Sequence, residues 1–234
     1  SSRWHPKMKP FIFMERNGVH IIDLEKTQEQ IKQISEQVAD MVADRKIILF
    51  MTTKPQAREI VKQAAIDCDM PYLVGRWIGG FITNFVEIKK LLKKYISLKE
   101  QQESGELEHY TKKEQLNISK QLEKMEVSLG GLVSLTKIPD VLFIPSFQRE
   151  KTAVTEANRV GIPIIAVCDT NANPTHAEYV ISGNDDAIRS ITLLVHTIRD
   201  AVLEGKKRAE AKEALIPKEA PVVLQSDSSD NITL

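Results

Sequence analysis

A doubly wound, flavodoxin-like α/β sandwich with a helical hairpin inserted into it is the architecture this sequence predicts. Three observations carry the prediction. Short apolar runs alternate with stretches of helical spacing, the alternation resumes after residue 131, and the segment between the two halves has no strand signal at all. Apolar strands that alternate with helices belong in a parallel sheet covered on both faces. Right-handed crossovers then give the doubly wound form.

Residues 11–14 and 19–22 are apolar and flank Asn17-Gly18, a pair that accepts the positive φ angles of a tight hairpin turn. After Asp23, Thr27-Gln28-Glu29-Gln30 reads as a capping box, and Ile31, Ile34, Val38, Met41 and Val42 follow at helical spacing. Residues 47–51 form a strand-sized run, and Lys54-Pro55 opens the next helix, where proline sacrifices no hydrogen bond. Ile60, Val61, Ala64 and Ala65 supply its buried stripe, and residues 71–74 read as the following strand. Beyond residue 131 the strands fall at 141–144, 164–167 and 179–181, with helices at 150–160, ended by Gly161, and 185–203.

The interruption is of a different kind. Ile88, Leu92 and Tyr95, then Ile118, Leu122, Met125 and Leu129, step by three and four. Glu103-Ser104-Gly105 breaks the pattern and Thr111-Lys112-Lys113-Glu114 restarts it as a capping box. The domain organisation expected is an α/β core of residues 1–85 and 130–205, a coiled-coil hairpin over 86–129, and a flexible tail over 206–234 that opens on Lys206-Lys207-Arg208.

The chain has 234 residues, and its 32 basic side chains balance 32 acidic ones, so no global basic field draws it to a polyanion. No apolar run is long enough to cross a bilayer. The abrupt opening at Ser1 predicts further residues upstream. Cys68 and Cys168 have no second thiol at metal spacing and read as buried, reduced thiols.

Enzyme signatures are absent from the loops where this fold places ligands. Gly75-Arg76-Trp77-Ile78-Gly79-Gly80 is glycine-rich and follows a strand, yet its spacing matches neither common phosphate cradle, and the five histidines are scattered. Asp169 and Asp185 read as a metal or polar pocket, or more simply as turn and helix-capping residues. A small-molecule enzyme using Asp169, Asn171 and Asp185 is the rival reading; no catalytic residue and no required cofactor is expected. The basic and aromatic residues say more. The first ten residues hold Arg3, Trp4, His5, Lys7 and Lys9 with no acid, offering cations for phosphates and an indole for stacking. Arg76, Trp77, Thr83 and Asn84 extend that chemistry into the loop before the hairpin, and Lys89, Lys90, Lys93 and Lys94 into the hairpin's first helix. Positive charge thus gathers early in a chain that is neutral overall.

These stretches together resemble the bacterial-type small-subunit ribosomal protein S-two family. The resemblance rests on Arg3-Trp4-His5-Pro6-Lys7-Met8-Lys9-Pro10-Phe11-Ile12-Phe13, Arg16-Asn17-Gly18-Val19-His20-Ile21-Ile22-Asp23-Leu24-Glu25-Lys26-Thr27, Arg76-Trp77-Ile78-Gly79-Gly80-Phe81-Ile82-Thr83-Asn84-Phe85, Gly161-Ile162-Pro163, Asp169-Thr170-Asn171 and Gly183-Asn184-Asp185-Asp186-Ala187-Ile188-Arg189-Ser190. It implies a protruding coiled-coil hairpin, a cytoplasmic, ribosome-bound location, and contacts with ribosomal RNA and neighbouring ribosomal proteins. Docking of ribosomal protein S-one, where present, is also implied. Family RNA contacts carry over to Arg3, Trp4, Lys7, Lys9, Arg76, Trp77, Thr83 and Asn84. The family's histidine-containing segment before Arg3 is not in this sequence, so the resemblance supplies no complete ligand set for a metal at Asp169 and Asp185.

Overall fold

The computed structural model describes residues 4–214, so Arg3 and everything after Ala214 lie outside the described residues. Strands β1 (Ile12–Arg16) and β2 (Val19–Ile22) pair antiparallel with Arg16 opposite Val19. Asn17 and Gly18 make the turn at φ 52° and 76°, the left-handed values this dipeptide accepts. Helix α1 (Leu24–Ala43) begins at Asp23, whose Oδ1 accepts from the N–H groups of Glu25 and Lys26. The sequence placed this cap at Thr27 and is corrected here. Thr27 lies inside the first turn, buried, and its hydroxyl donates to the Ser182 carbonyl at 2.7 Å.

Five strands then build the main sheet: β3 (Ile48–Thr52), β4 (Tyr72–Val74), β5 (Val141–Ile144), β6 (Ile164–Cys168) and β7 (Tyr179–Ser182). All neighbours are parallel, in the order β4-β3-β5-β6-β7. This is the doubly wound order, with its reversal between β3 and β5. The alternation of side chains along the strands makes two cores. Leu49, Met51, Leu142 and Ile144 face helix α5 (Lys151–Val160) and the base of the inserted hairpin. Ile48, Phe50, Val141 and Phe143 face α1, α2 (Arg58–Asp67) and α6 (Ile188–Ala214). Both cysteines are buried and free, and burial pushes each thiol up to about 12.

The insertion forms two helices, α3 (Phe85–Glu103) and α4 (Lys112–Leu129). Ile88, Leu92 and Tyr95 join Leu122 and Leu129 in the same apolar cluster, with Met125 partly buried against it. Thr111 and Glu114 make the reciprocal capping box that starts α4.

Helix α6 corrects the expected start of the tail. It continues through Gly205 to Ala214, with Gly205 and Ala209 buried. The expected helix ended at residue 203, whereas Gly205 lies within α6, where its missing side chain serves packing. A Cβ there would lie 2.5 Å from the Ala39 carbonyl oxygen and 2.7 Å from Val42 Cβ, so only glycine lets α6 approach α1 this closely. Arg208 then bridges Glu36 at 2.8 Å and Asp40 at 3.0 Å across the two helices. The basic residues read as a tail are partly spent on holding this helix down.

Candidate nucleic-acid interface

The amino-terminal arm is short and proline-rich, and it gains structure by docking. His5 donates its backbone N–H to the Thr170 carbonyl at 2.7 Å, in the loop after β6. Residues Pro6–Phe11 form a 3₁₀ turn, which His5 caps by accepting from the Lys7 N–H. Met8 is fully buried among the side chains packed against the sheet. Anchored this way, the arm leaves Lys7 and Lys9 exposed, with the Lys7 ammonium 3.3 Å from the Thr175 hydroxyl. Trp4 stays 37% exposed and tilts against His20 of β2, ring centroids 5.3 Å apart. The arm is thus ordered by contacts outside itself, with Met8 a buried anchor that counting charges overlooks.

The loop of residues 75–84 is organised by one buried acid. Glu156, on α5, accepts from the Trp77 indole N–H at 3.0 Å and from the backbone N–H groups of Gly80 at 2.8 Å and Ile82 at 3.1 Å. Longer contacts of 3.5 Å reach the Thr83 N–H and hydroxyl. Burial alone would raise this carboxyl, but these donors outweigh it and hold Glu156 below its ordinary value. Convergent backbone N–H groups in a glycine-rich loop are a common anion cradle. Here the protein's own carboxylate fills the cradle, so the loop does not bind a phosphate in the manner of a nucleotide enzyme.

Trp77 is consequently misplaced in the sequence reading. It is 8% exposed, packs edge-on against Phe81 at 5.2 Å, and spends its N–H on Glu156. It fixes the loop and offers no face to a base. Arg76, Thr83 and Asn84 are exposed around it. Lys89, Lys90, Lys93 and Lys94 are exposed along α3. Arm and loop both flank α5. His5 shares a cavity wall with Val154, Thr155 and Asn158, and the loop hangs from Glu156, next to Thr155 in the chain.

At the carboxyl ends of the strands the structure brings Asp169 and Asp185 together with Asp186, their carboxylate oxygens within 4.8 Å of one another. Lys54, which follows β3 and was not singled out by the sequence, enters this group. Its buried ammonium donates to the Asp185 backbone carbonyl, to Asp186 Oδ1 at 2.6 Å and to Asp185 Oδ1 at 3.3 Å. Ser146 donates to the other Asp185 oxygen at 2.6 Å. Burial and the charge of Asp185 raise the Asp169 carboxyl against the bond it accepts from the Thr170 N–H. The arrangement fits an internal ion pair better than a metal centre, because a lysine ammonium already supplies the positive charge and repels a second cation. Beside it Glu150 turns to Thr53, accepting from its hydroxyl at 2.9 Å and from its backbone N–H. No nucleophile paired with a base emerges here, and Asn171 sits exposed outside the group.

Sequence reasoning missed Glu156 and Lys54 for different reasons. Glu156 interrupts the buried stripe Ala153, Val154, Ala157, and an acid on an apolar helix face is a readable sign of an internal partner. Lys54 carries no such mark, since a lysine before proline at a helix start looks like any surface residue.

No described helix is long and apolar enough to cross a membrane. Residues 1–205 match the family described as Ribosomal protein S2. The chain is 41% identical over 221 residues to the small ribosomal subunit protein uS2 of Parabacteroides distasonis, covering 94% of this chain and 80% of that protein. Against uS2 of Roseiflexus castenholzii it is 44% identical over 214 residues, covering 92% and 81%. With uS2 of Amoebophilus asiaticus it shares 43% over 232 residues, covering 99% and 73%. Matches of this extent settle the family and with it the absence of an enzymatic role: the chain belongs to the Ribosomal protein S2 family, structural constituents of the small ribosomal subunit.

Proposed function

We propose that the docked arm, the 75–84 loop and the first helix of the hairpin together form the face that holds this protein to small-subunit ribosomal RNA. The observation that carries the reading is geometric: Lys7, Lys9 and Arg76 stand exposed on two anchored segments, the arm tied by its backbone to the loop after β6 with His5 facing α5 across a cavity, and the 75–84 loop tied to Glu156 of α5. Fixed cations lose little entropy on meeting phosphates and release the counterions that condense on RNA. Trp4 adds an exposed indole for stacking. Arg3 belongs to the same proposal from sequence alone, and Trp77 supports it as an anchor of the loop.

Charge reversal at Lys7 and Lys9 tests the face directly. Both are exposed, so the double Glu variant should keep its fold and melting temperature. Its affinity for small-subunit RNA should fall, and the slope of log affinity against log salt should drop by about 1.5, near 0.7–0.9 for each lost phosphate contact. An unchanged slope in filter binding removes the arm from the interface.

A second reading concerns a protein partner. Phe13 is 70% exposed, Val19 59% and Leu24 74%, all on the β1–β2 hairpin or just after it. Met14 and Ile21, opposite each other across the hairpin, are 46% and 39% exposed as well, and so many large apolar side chains facing water mark this small hairpin as a protein contact. We infer that a neighbouring ribosomal protein covers it, with S-one the candidate where a ribosome carries that protein. Phe13→Ser combined with Leu24→Ser should strip S-one from purified small subunits by tenfold or more while the variant still sediments with them. Retention of S-one at the wild-type ratio would assign these side chains elsewhere.

A further inference from the structure

Beside the arm lies a cavity of about 530 Å³ whose wall includes His5, Phe147, Lys151, Val154, Asn171 and His176. Its chemistry is divided. Phe147 and Val154 offer an apolar floor, and both are otherwise buried. Two imidazoles and the amide of exposed Asn171 surround that floor. His5 is held by its own turn, since its Nδ1 already accepts from the Lys7 N–H. Lys151 stands at the mouth as the first residue of α5. The helix cap at this point is unusual: Glu150 gives its carboxylate to Thr53 and makes no side-chain cap bond to α5. The first-turn N–H groups therefore lack the acidic cap that would repel an anion, and Lys151 adds a positive charge to them.

A second, shallow groove lies against the same turn, Asn173-Pro174-Thr175-His176: Pro174 and Thr175 line the groove, while Asn173 and His176 line the cavity. Lys7 and Lys9 line the groove too, as does Lys26, whose ammonium is held by Asp23 at 3.4 Å and by the Pro10 carbonyl at 2.6 Å. Lys7 reaches Thr175 at 3.3 Å while its backbone N–H bonds His5 of the cavity wall. Two exposed lysines beside a compartment with an apolar floor and amide walls match a single-stranded polynucleotide more closely than a free anion or an apolar peptide. The phosphates follow the lysines, and one base leaves the stack to enter the compartment.

Resting on the RNA-binding reading above, we propose that this cavity is a base pocket: it receives one unstacked nucleotide of the RNA, with the base over Phe147 and Val154 beside Asn171 and the phosphate at Lys151 and the start of α5. The cavity is large enough for a nucleobase with its ribose, and its polar groups are amides and imidazoles that both donate and accept. It thereby adds affinity that charge alone does not supply. Stacking and edge contacts of one base are worth about tenfold or more.

The test uses the full chain, a mixed-sequence single-stranded RNA of twelve nucleotides, and an abasic oligomer with the same sugar-phosphate backbone. Thr155→Trp fills the cavity from an exposed position on α5, so the fold should survive, and Asn171→Ala removes a polar wall from an exposed loop. Expected is at least tenfold tighter binding of the base-bearing RNA by the unaltered protein. In a Trp4→Ala background, which removes the exposed indole, Thr155→Trp should abolish that preference and Asn171→Ala should reduce it, with the abasic oligomer bound as before. Equal affinity of the unaltered protein for the two oligomers, or a preference that survives Thr155→Trp in the Trp4→Ala background, overturns the base pocket while leaving the basic face intact. Failure to bind either oligomer in a salt-dependent way takes down the RNA-binding reading as well.

Discussion

Replacing Glu156 by glutamine is expected to cost about 2–3 kcal/mol of stability and to release the 75–84 loop. The substitution keeps size and shape, so the loss comes from charge and donor direction. A carboxylate accepts on both oxygens, and here both are used: one by Trp77 and Gly80, the other by Ile82 and Thr83. An amide accepts on one side only, and its NH₂ must face either the Trp77 and Gly80 donors or the Ile82 donor. One set of N–H groups is then buried without a partner. The indole of Trp77 reports the change, since its emission should move to the red as the loop opens, whereas Trp4 is already exposed. Affinity for small-subunit RNA should fall with it, because Arg76, Thr83 and Asn84 lose their common frame.

The pH dependence has a definite sign. A carboxyl held below its ordinary value of 4.5 in the folded protein contributes stability that is fully present above that value. The contribution disappears as the pH falls through the lowered folded-state value. The gap between the unaltered protein and Glu156→Gln should thus be widest near neutrality and close on acidification below about 4.5. Denaturant midpoints measured across pH decide it; a gap that stays constant into acid would mean the carboxylate charge is not what holds the loop.

How much of this was legible in the sequence depends on whether the physics was local. The hairpin turn at Asn17-Gly18, the capping box at Thr111 and the seven strands rest on short-range pattern, and each appears where that pattern placed it to within a residue or two. The misreadings share the opposite property. Thr27 looked like a cap because its hydroxyl and the amide of Gln30 three residues later suit one, yet β7 claims the hydroxyl from across the fold. The last helix looked complete at residue 203, yet it runs on through Gly205, where a neighbouring helix needs the space a side chain would take. Trp77 looked like a stacking surface because indoles near cations often are, yet an acid far along the chain holds it inward. In each case a partner distant in sequence decided the role. Resemblance to a family fixes which segments matter and is silent about which side chains within them point outward.

Lys54 is the sharpest instance of that distance, and its removal should produce the largest loss of stability. Lys54→Met keeps the length of the side chain while deleting the ammonium that bonds Asp185 and Asp186. Asp185 is 6% exposed and its carboxylate would keep only the Ser146 hydroxyl as donor, with Asp169 and Asp186 close by. Removing one partner of a buried ion pair typically costs about 3–5 kcal/mol, because the other charge is left in a poor dielectric. The same variant separates an ion pair from a metal centre. If Lys54 supplies the cation, a chelator should leave the melting temperature of the unaltered protein where it was. In Lys54→Met the repulsion among the carboxylates is uncompensated, and millimolar magnesium or calcium should then recover part of the lost stability, as oxygen-rich sites admit such ions once the competing charge is gone. A fall in the unaltered protein's melting temperature on chelation would instead show that these aspartates already serve a metal, with Lys54 as a neighbour and not its replacement.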